Sequence, residues 1–93
     1  MFYMLDLDNE SHQNDLKKFG AVFVLSTLFF IRDDEGRKIK VSFDESHSLF
    51  WIEQNALTIR ASTIGVTVLE DYISLTFYAK DKTYVGDFYI FQH

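Results

Sequence analysis

Between Phe19 and Ile31 the chain runs thirteen residues without a charge (F-G-A-V-F-V-L-S-T-L-F-F-I), and four of the thirteen are phenylalanine. Such a run can place its side chains in two ways. Either it forms one strand of a sheet buried on both faces, or it bends so that its halves meet different environments. As a helix it is too short to cross a bilayer, which takes about 20 residues. The run therefore bears on fold and not on chemistry.

The 93 residues correspond to one domain, 1–93. A chain of this size buries roughly 60–65% of its unfolded surface, so its core must be rich. It is: 47% of residues are hydrophobic, among them ten Phe, five Tyr and one Trp. Each buried aromatic removes about 150–250 Å² from water. There is no cysteine, which excludes disulfides, thiolate metal sites and thiol nucleophiles, and is the habit of a reducing compartment. Asp6, Asp8 and Glu10 stand where a secretory leader would be basic and then apolar. The expectation is a cytoplasmic protein with no membrane segment. Fourteen acidic residues against nine basic ones give a net charge of −5. That balance disfavours nonspecific binding to nucleic acid or anionic membrane, and favours basic partners.

Proline is absent and glycine occurs only at 20, 36, 65 and 86, so turns must use Asp, Asn, Ser and Lys. A first strand is expected over 2–7. One short helix is expected over about 11–19, capped by Asn9 or Ser11, with Lys17 and Lys18 at the negative end of its dipole and Gly20 as a left-handed stop. After Gly20 the pattern is strand throughout, near 21–32, 37–43, 49–53, 56–61, 64–69, 72–80 and 83–91. Ile73, Leu75, Phe77 and Ala79 alternate with Tyr72, Ser74, Thr76 and Tyr78, the pattern of an antiparallel sheet with one wet face. Arg32-Asp-Asp-Glu-Gly-Arg37 reads as a hairpin turn with Gly36 at positive φ, and Asp81-Lys82 closes the last hairpin. Gly65 and Gly86, inside strand patterns, point to bulges or close packing. The expected fold is mainly β with one short N-terminal helix: an antiparallel meander of seven to eight strands, either a small barrel or a sandwich.

Few residues offer chemistry. His47 lies beside Asp44, Glu45 and Ser46, which reads either as a metal or acid–base site or as an ordinary polar loop. His12 with Asp15 and Glu10 reads as a surface helix pair. His93 ends the chain. No nucleophile elbow, phosphate-binding glycine loop, His-Glu-x-x-His or paired-cysteine motif is present. The expectation is no enzyme, no cofactor and no metal.

Two surfaces stand out. In a simple meander from residue 21 onward, alternate turns share an end. That gathers Asp33, Asp34, Glu35, Glu53, Glu70 and Asp71 into one acidic rim, suited to steering a basic partner. The competing explanation is that Asp is a good turn residue and that acidic turns keep a sheet soluble. In the last hairpin, Ser74 should lie opposite Tyr89, Tyr72 opposite Phe91 and Tyr78 opposite Val85. One face then carries Tyr72, Tyr78 and Tyr89, the kind of large amphipathic side chains that anchor interfaces. Alternatively the helix covers that face. Lys38, Lys40 and Arg60 can share a wet face, but three cations on a chain of this charge argue weakly for nucleic acid. Trp51 reads as core.

The function expected is that of a small acidic binding protein that neutralises a basic protein, in the manner of an immunity protein, an antitoxin or a phage-encoded inhibitor. The alternatives are a small barrel holding an apolar ligand, and a structural subunit that forms a homodimer.

Overall fold

The computed structural model describes residues 1–92. In chain order the elements are β1 (Phe2–Met4), α1 (Glu10–Lys18), β2 (Val22–Leu25), β3 (Leu28–Arg32), β4 (Lys38–Asp44), β5 (Leu49–Gln54), β6 (Leu57–Ala61), β7 (Thr63–Val68), β8 (Tyr72–Tyr78) and β9 (Tyr84–Phe91). The fold is mainly β, with one helix and nine strands in two antiparallel sheets among the described residues. A five-stranded sheet runs β2-β3-β4-β5-β6, a pure meander, and a four-stranded sheet runs β1-β7-β8-β9. The sheets do not close into a barrel. They lie on either side of one core, in the manner of a sandwich.

The strand count exceeds the expected seven to eight because the uncharged run bends. Ser26 and Thr27 are its only hydroxyl residues, and they form the turn between β2 and β3. The second half alternates, with Phe29 and Ile31 buried, while Val22, Val24 and Leu25 of β2 stay exposed. The first strand is shorter than expected because local turn chemistry ends it: Asp8 donates its N–H to Asp6 Oδ1 at 3.0 Å, and Asn9 N–H donates to Asp6 O at 3.0 Å.

Asn9 is then the cap of α1. Its side chain accepts from the N–H groups of Ser11 and His12, and Gly20 follows the helix at φ 98°. Nine residues make a marginal helix on their own. What holds α1 is Leu16, fully buried, and Phe19 just beyond the last turn. Tyr3 ties it to β1, donating its hydroxyl to Asp15 Oδ2 at 2.8 Å and stacking on His12 with ring centroids 3.8 Å apart. Desolvation and then the Asp15 carboxylate push the Tyr3 phenol well above its ordinary range.

The core rows follow from register. Phe29, Val41, Ile52 and Ile59 lie opposite one another across β3 to β6, and Val66, Leu75 and Phe88 across β7 to β9. Burying each such side chain contributes roughly 1.5–3 kcal/mol before conformational entropy is counted. Between β6 and β7 the chain passes from one sheet to the other at a single residue, Ser62, whose N–H donates to Tyr78 O at 2.8 Å. That corner leaves each sheet with an outward face, and the candidate surfaces lie there.

Candidate functional site

The outward face of the four-stranded sheet is built by alternation. β8 turns Ile73, Leu75 and Phe77 into the core, so Tyr72, Ser74, Thr76 and Tyr78 face away. The register sets Tyr72 opposite Phe91, Ser74 opposite Tyr89 and Thr76 opposite Asp87. A bulge between Phe77 and Tyr78 places Tyr84, rather than the expected Val85, opposite Tyr78. β1 contributes Phe2, paired with Thr67, and Met4, paired with Gly65. The helix packs elsewhere and does not cover this face. Phe2 is 55% exposed, Tyr84 57% and Tyr89 48%.

The aromatic rings are ordered against each other. Tyr72 lies 5.9 Å from Tyr89 and 5.2 Å from Phe91 between centroids. Phe2 and Tyr78 lie over Gly65: a Cβ at that position would meet the Phe2 ring at 3.0 Å and the Tyr78 ring at 3.1 Å. Glycine is favoured there by close approach, as the strand pattern implied. Among the strand residues of this face the only formal charge is Asp87. Desolvation and then the Asp87 carboxylate push the Tyr84 phenol up. At one end the face meets the Glu70–Asp71 turn, where Asp71 O accepts from Gln92 N–H at 3.1 Å. By the alternation of an antiparallel ladder, that bond makes Ile90 and Phe88 the residues bonded to β8. Asp87, Tyr89 and Phe91 then direct their N–H and C=O groups to the open edge.

The nine residues expected to contact a partner divide between the two sheets. Glu70, Asp71, Tyr72, Tyr78 and Tyr89 belong together on the four-stranded sheet. Asp33, Asp34, Glu35 and Glu53 belong to the five-stranded sheet, because the meander is interrupted at Ser62. No hydrogen bond or ion pair links the two groups among the described residues.

Asp33 requires a correction, since it is 1% exposed and is not a contact surface. Its Oδ1 accepts from Glu35 N–H at 3.0 Å and Arg37 N–H at 2.8 Å. Its Oδ2 accepts from Arg37 Nε at 3.0 Å and Gln54 Nε2 at 2.8 Å. Burial works to raise this carboxyl, and the surrounding donors outweigh it and hold the group below its ordinary value. Glu35 pairs with Arg37 at 3.3 Å, and Glu53 pairs with Lys40 at 3.7 Å. Asp at the first position of a turn that returns to Arg was the available signal for this capping role.

The His47 loop is self-contained. Asp44 Oδ1 accepts from Ser46 Oγ at 2.7 Å, and Asp44 Oδ2 lies 2.8 Å from His47 Nδ1. Ser46, then His47, hold the half-buried Asp44 carboxyl at about 2. Ser46 Oγ also meets Nδ1 of His47, at 3.2 Å. A proton relay needs serine and carboxylate on opposite ring nitrogens, and here both address one. His12 accepts at Nδ1 from Asp6 N–H at 3.0 Å. His93 lies outside the described residues. Among the described residues no three His, Asp or Glu side chains form a metal-holding group. Among the described residues no helix is long and apolar enough to cross a membrane.

No family model matches the chain, and no curated protein or solved structure matches it.

Proposed function

We propose that this is a protein-binding module that acts by occupying a basic protein partner through the tyrosine face of its four-stranded sheet. The carrying observation is a large exposed aromatic face with a single formal charge on its strands. Monomeric soluble proteins rarely leave such a patch open without use. Tyr72, Tyr89 and Phe91 supply rigid contact area at low conformational cost, and Glu70, Asp71 and Asp87 supply charge to align a cationic surface. The open edge beside Tyr89 offers backbone hydrogen bonds to a partner strand. Neutralisation of a toxin or nuclease-like protein is the activity such a surface supports best, with no catalysis or cofactor of its own.

The test uses immobilised protein and a Tyr72→Ala/Tyr89→Ala variant, loaded with native-host lysate at low salt and eluted with a salt gradient. A basic protein retained by the parent, released by salt and lost from the variant supports the reading. Retention that ignores both salt and the variant overturns it. The same edge favours one second reading, a homodimer formed by antiparallel pairing of β9 with β9. Sedimentation of the pure protein across a concentration series separates the two.

A further inference from the structure

The net charge of the chain points away from polyanions, but the outward face of the five-stranded sheet has the opposite sign. Its register sets Arg32 opposite Lys38, Phe30 opposite Lys40 opposite Glu53, and Ser42 opposite Trp51 opposite Arg60. Four cations therefore share this face with one central carboxylate, Glu53, which is already paired with Lys40. Asp44, at the far end of β4, is turned into its own loop by Ser46 and His47. Trp51, expected in the core, is half-exposed here instead.

Rings and cations interleave. Lys38 Nζ lies 4.2 Å from the Phe30 ring centre, and the Arg60 guanidinium lies 5.6 Å from that of Trp51. Phe30 and Trp51 stand two strands and one row apart, roughly 12 Å. Beside Phe30 a groove of about 330 Å³ opens, lined by Phe19, Val22, Phe30 and Ile31 together with Arg32 and Lys38. One ring-sized apolar slot flanked by cations would suit any amphiphilic anion. A track of two rings and four cations, crossing four strands, suits a polymer whose every unit carries a planar ring and a negative charge.

We propose that this face binds single-stranded nucleic acid, with one base seated in the Phe30 groove and another stacked over Trp51 and Arg60. Arg32, Lys38 and Arg60 contact the intervening phosphates, and Lys40 joins them where it leaves Glu53. Aromatic rings and arginine planes both stack bases, and the cations follow the backbone. The acidic remainder of the surface holds the strand to this face and keeps binding weak and salt-sensitive. The site lies on the side of the molecule away from the tyrosine face and does not depend on it.

The experiment is titration of the protein with fluorescein-labelled oligothymidylate of about twelve nucleotides, read by anisotropy and by the fluorescence of Trp51, the one tryptophan. Expected are saturable binding, Trp51 quenching, and a log–log salt slope of roughly −2 to −3, as three or four phosphate contacts on a single strand give. Lys38→Glu with Arg60→Glu should weaken binding roughly tenfold or more. If that variant does not melt cooperatively, Lys38→Gln with Arg60→Gln serves and should weaken it by a smaller factor. Absence of binding at low salt overturns the proposal. So does binding that the variants leave unchanged, or equal affinity for duplex DNA or polyglutamate, which would show a charge effect without stacking.

Discussion

Gln54 donates its side-chain amide to Asp33 Oδ2 at 2.8 Å, across twenty-one positions of sequence. The bond joins the β3–β4 turn to the end of β5, and both groups are buried. It makes Asp33 the organising group of this corner, because the same carboxylate also closes its own turn and fixes Arg37.

Asp33→Ala should therefore cost stability well beyond that of a surface acid. It orphans the N–H groups of Glu35 and Arg37, the Gln54 amide and one guanidinium contact. The expected loss is about 3 kcal/mol, measured by urea denaturation. Asp34→Ala, one residue along and exposed, should change stability by less than about 0.5 kcal/mol. Equal effects of the two substitutions would remove Asp33 from its structural role.

Acid should find the same residue. Asp33 titrates lower in the folded chain than its ordinary value of 3.8. Its contribution is complete above the unfolded value and is lost as pH falls through the lowered folded value. Asp44 and Asp81 are shifted in the same direction, Asp44 to about 2. The urea midpoint should stay level from neutral pH down to about pH 4.5, then decline steeply. Asp33→Asn should lower the midpoint at neutral pH and flatten the decline.

Gly65 tests the aromatic face by size. With Phe2 able to swing outward, Gly65→Ala should be tolerated within about 1 kcal/mol. Gly65→Val should cost about 1–3 kcal/mol through overpacking. Hydrogen exchange should report the Val substitution at β1, where the displaced Phe2 loosens pairing with Thr67, and not at β4 or β5.

Tyr89→Ala should separate binding from folding. Its ring is half-exposed and touches Tyr72 alone among the ordered aromatic pairs, so the thermal midpoint should fall by only a few degrees. Loss of partner capture by more than about tenfold, at nearly unchanged stability, is the signature of an interface anchor. A parallel loss of both would make Tyr89 a packing residue.

Much of this architecture is legible before any coordinates. The alternation in 72–80 and 83–91 yields the pairs Ser74–Tyr89 and Tyr72–Phe91, because a short turn propagates its register mechanically. It yields Val85 in place of Tyr84 because nothing in Asp81-Lys82-Thr83 announces a bulge, or that Lys82 takes φ 70°. The change of sheet was visible only as a slip of phase. The apolar positions Leu57, Ile59 and Ala61 are odd-numbered, Ile64, Val66 and Val68 even-numbered, and the slip falls at Ser62. Read as two strands, the pattern is right; read as one continuing meander, it assigns Glu70 and Asp71 to the same sheet as the 33–37 turn, whereas they belong to the other one. The buried role of Asp33 was hidden for a related reason. A turn aspartate carries charge and caps N–H groups with the same oxygens, and composition cannot say which use prevails. Lys38, Lys40 and Arg60 were placed on one face correctly, but the addition of Arg32 and the pairing with Phe30 and Trp51 depended on strand order.

The pairing of Phe2 with Thr67 sets β1 apart from every other strand. Each remaining ladder joins neighbours across a turn of a few residues, the kind of contact that forms within microseconds. β1 must instead close a loop from residue 4 to residue 65, and longer loops cost more entropy to close. A ribosome also releases β1 long before β7 exists. The nascent chain can complete its five-stranded meander and its last hairpins while Phe2 and Met4 remain unplaced. Docking of β1 on β7 then closes the longest loop of any strand pairing in the fold, and a partner that grips Phe2 selects chains in which that loop is closed.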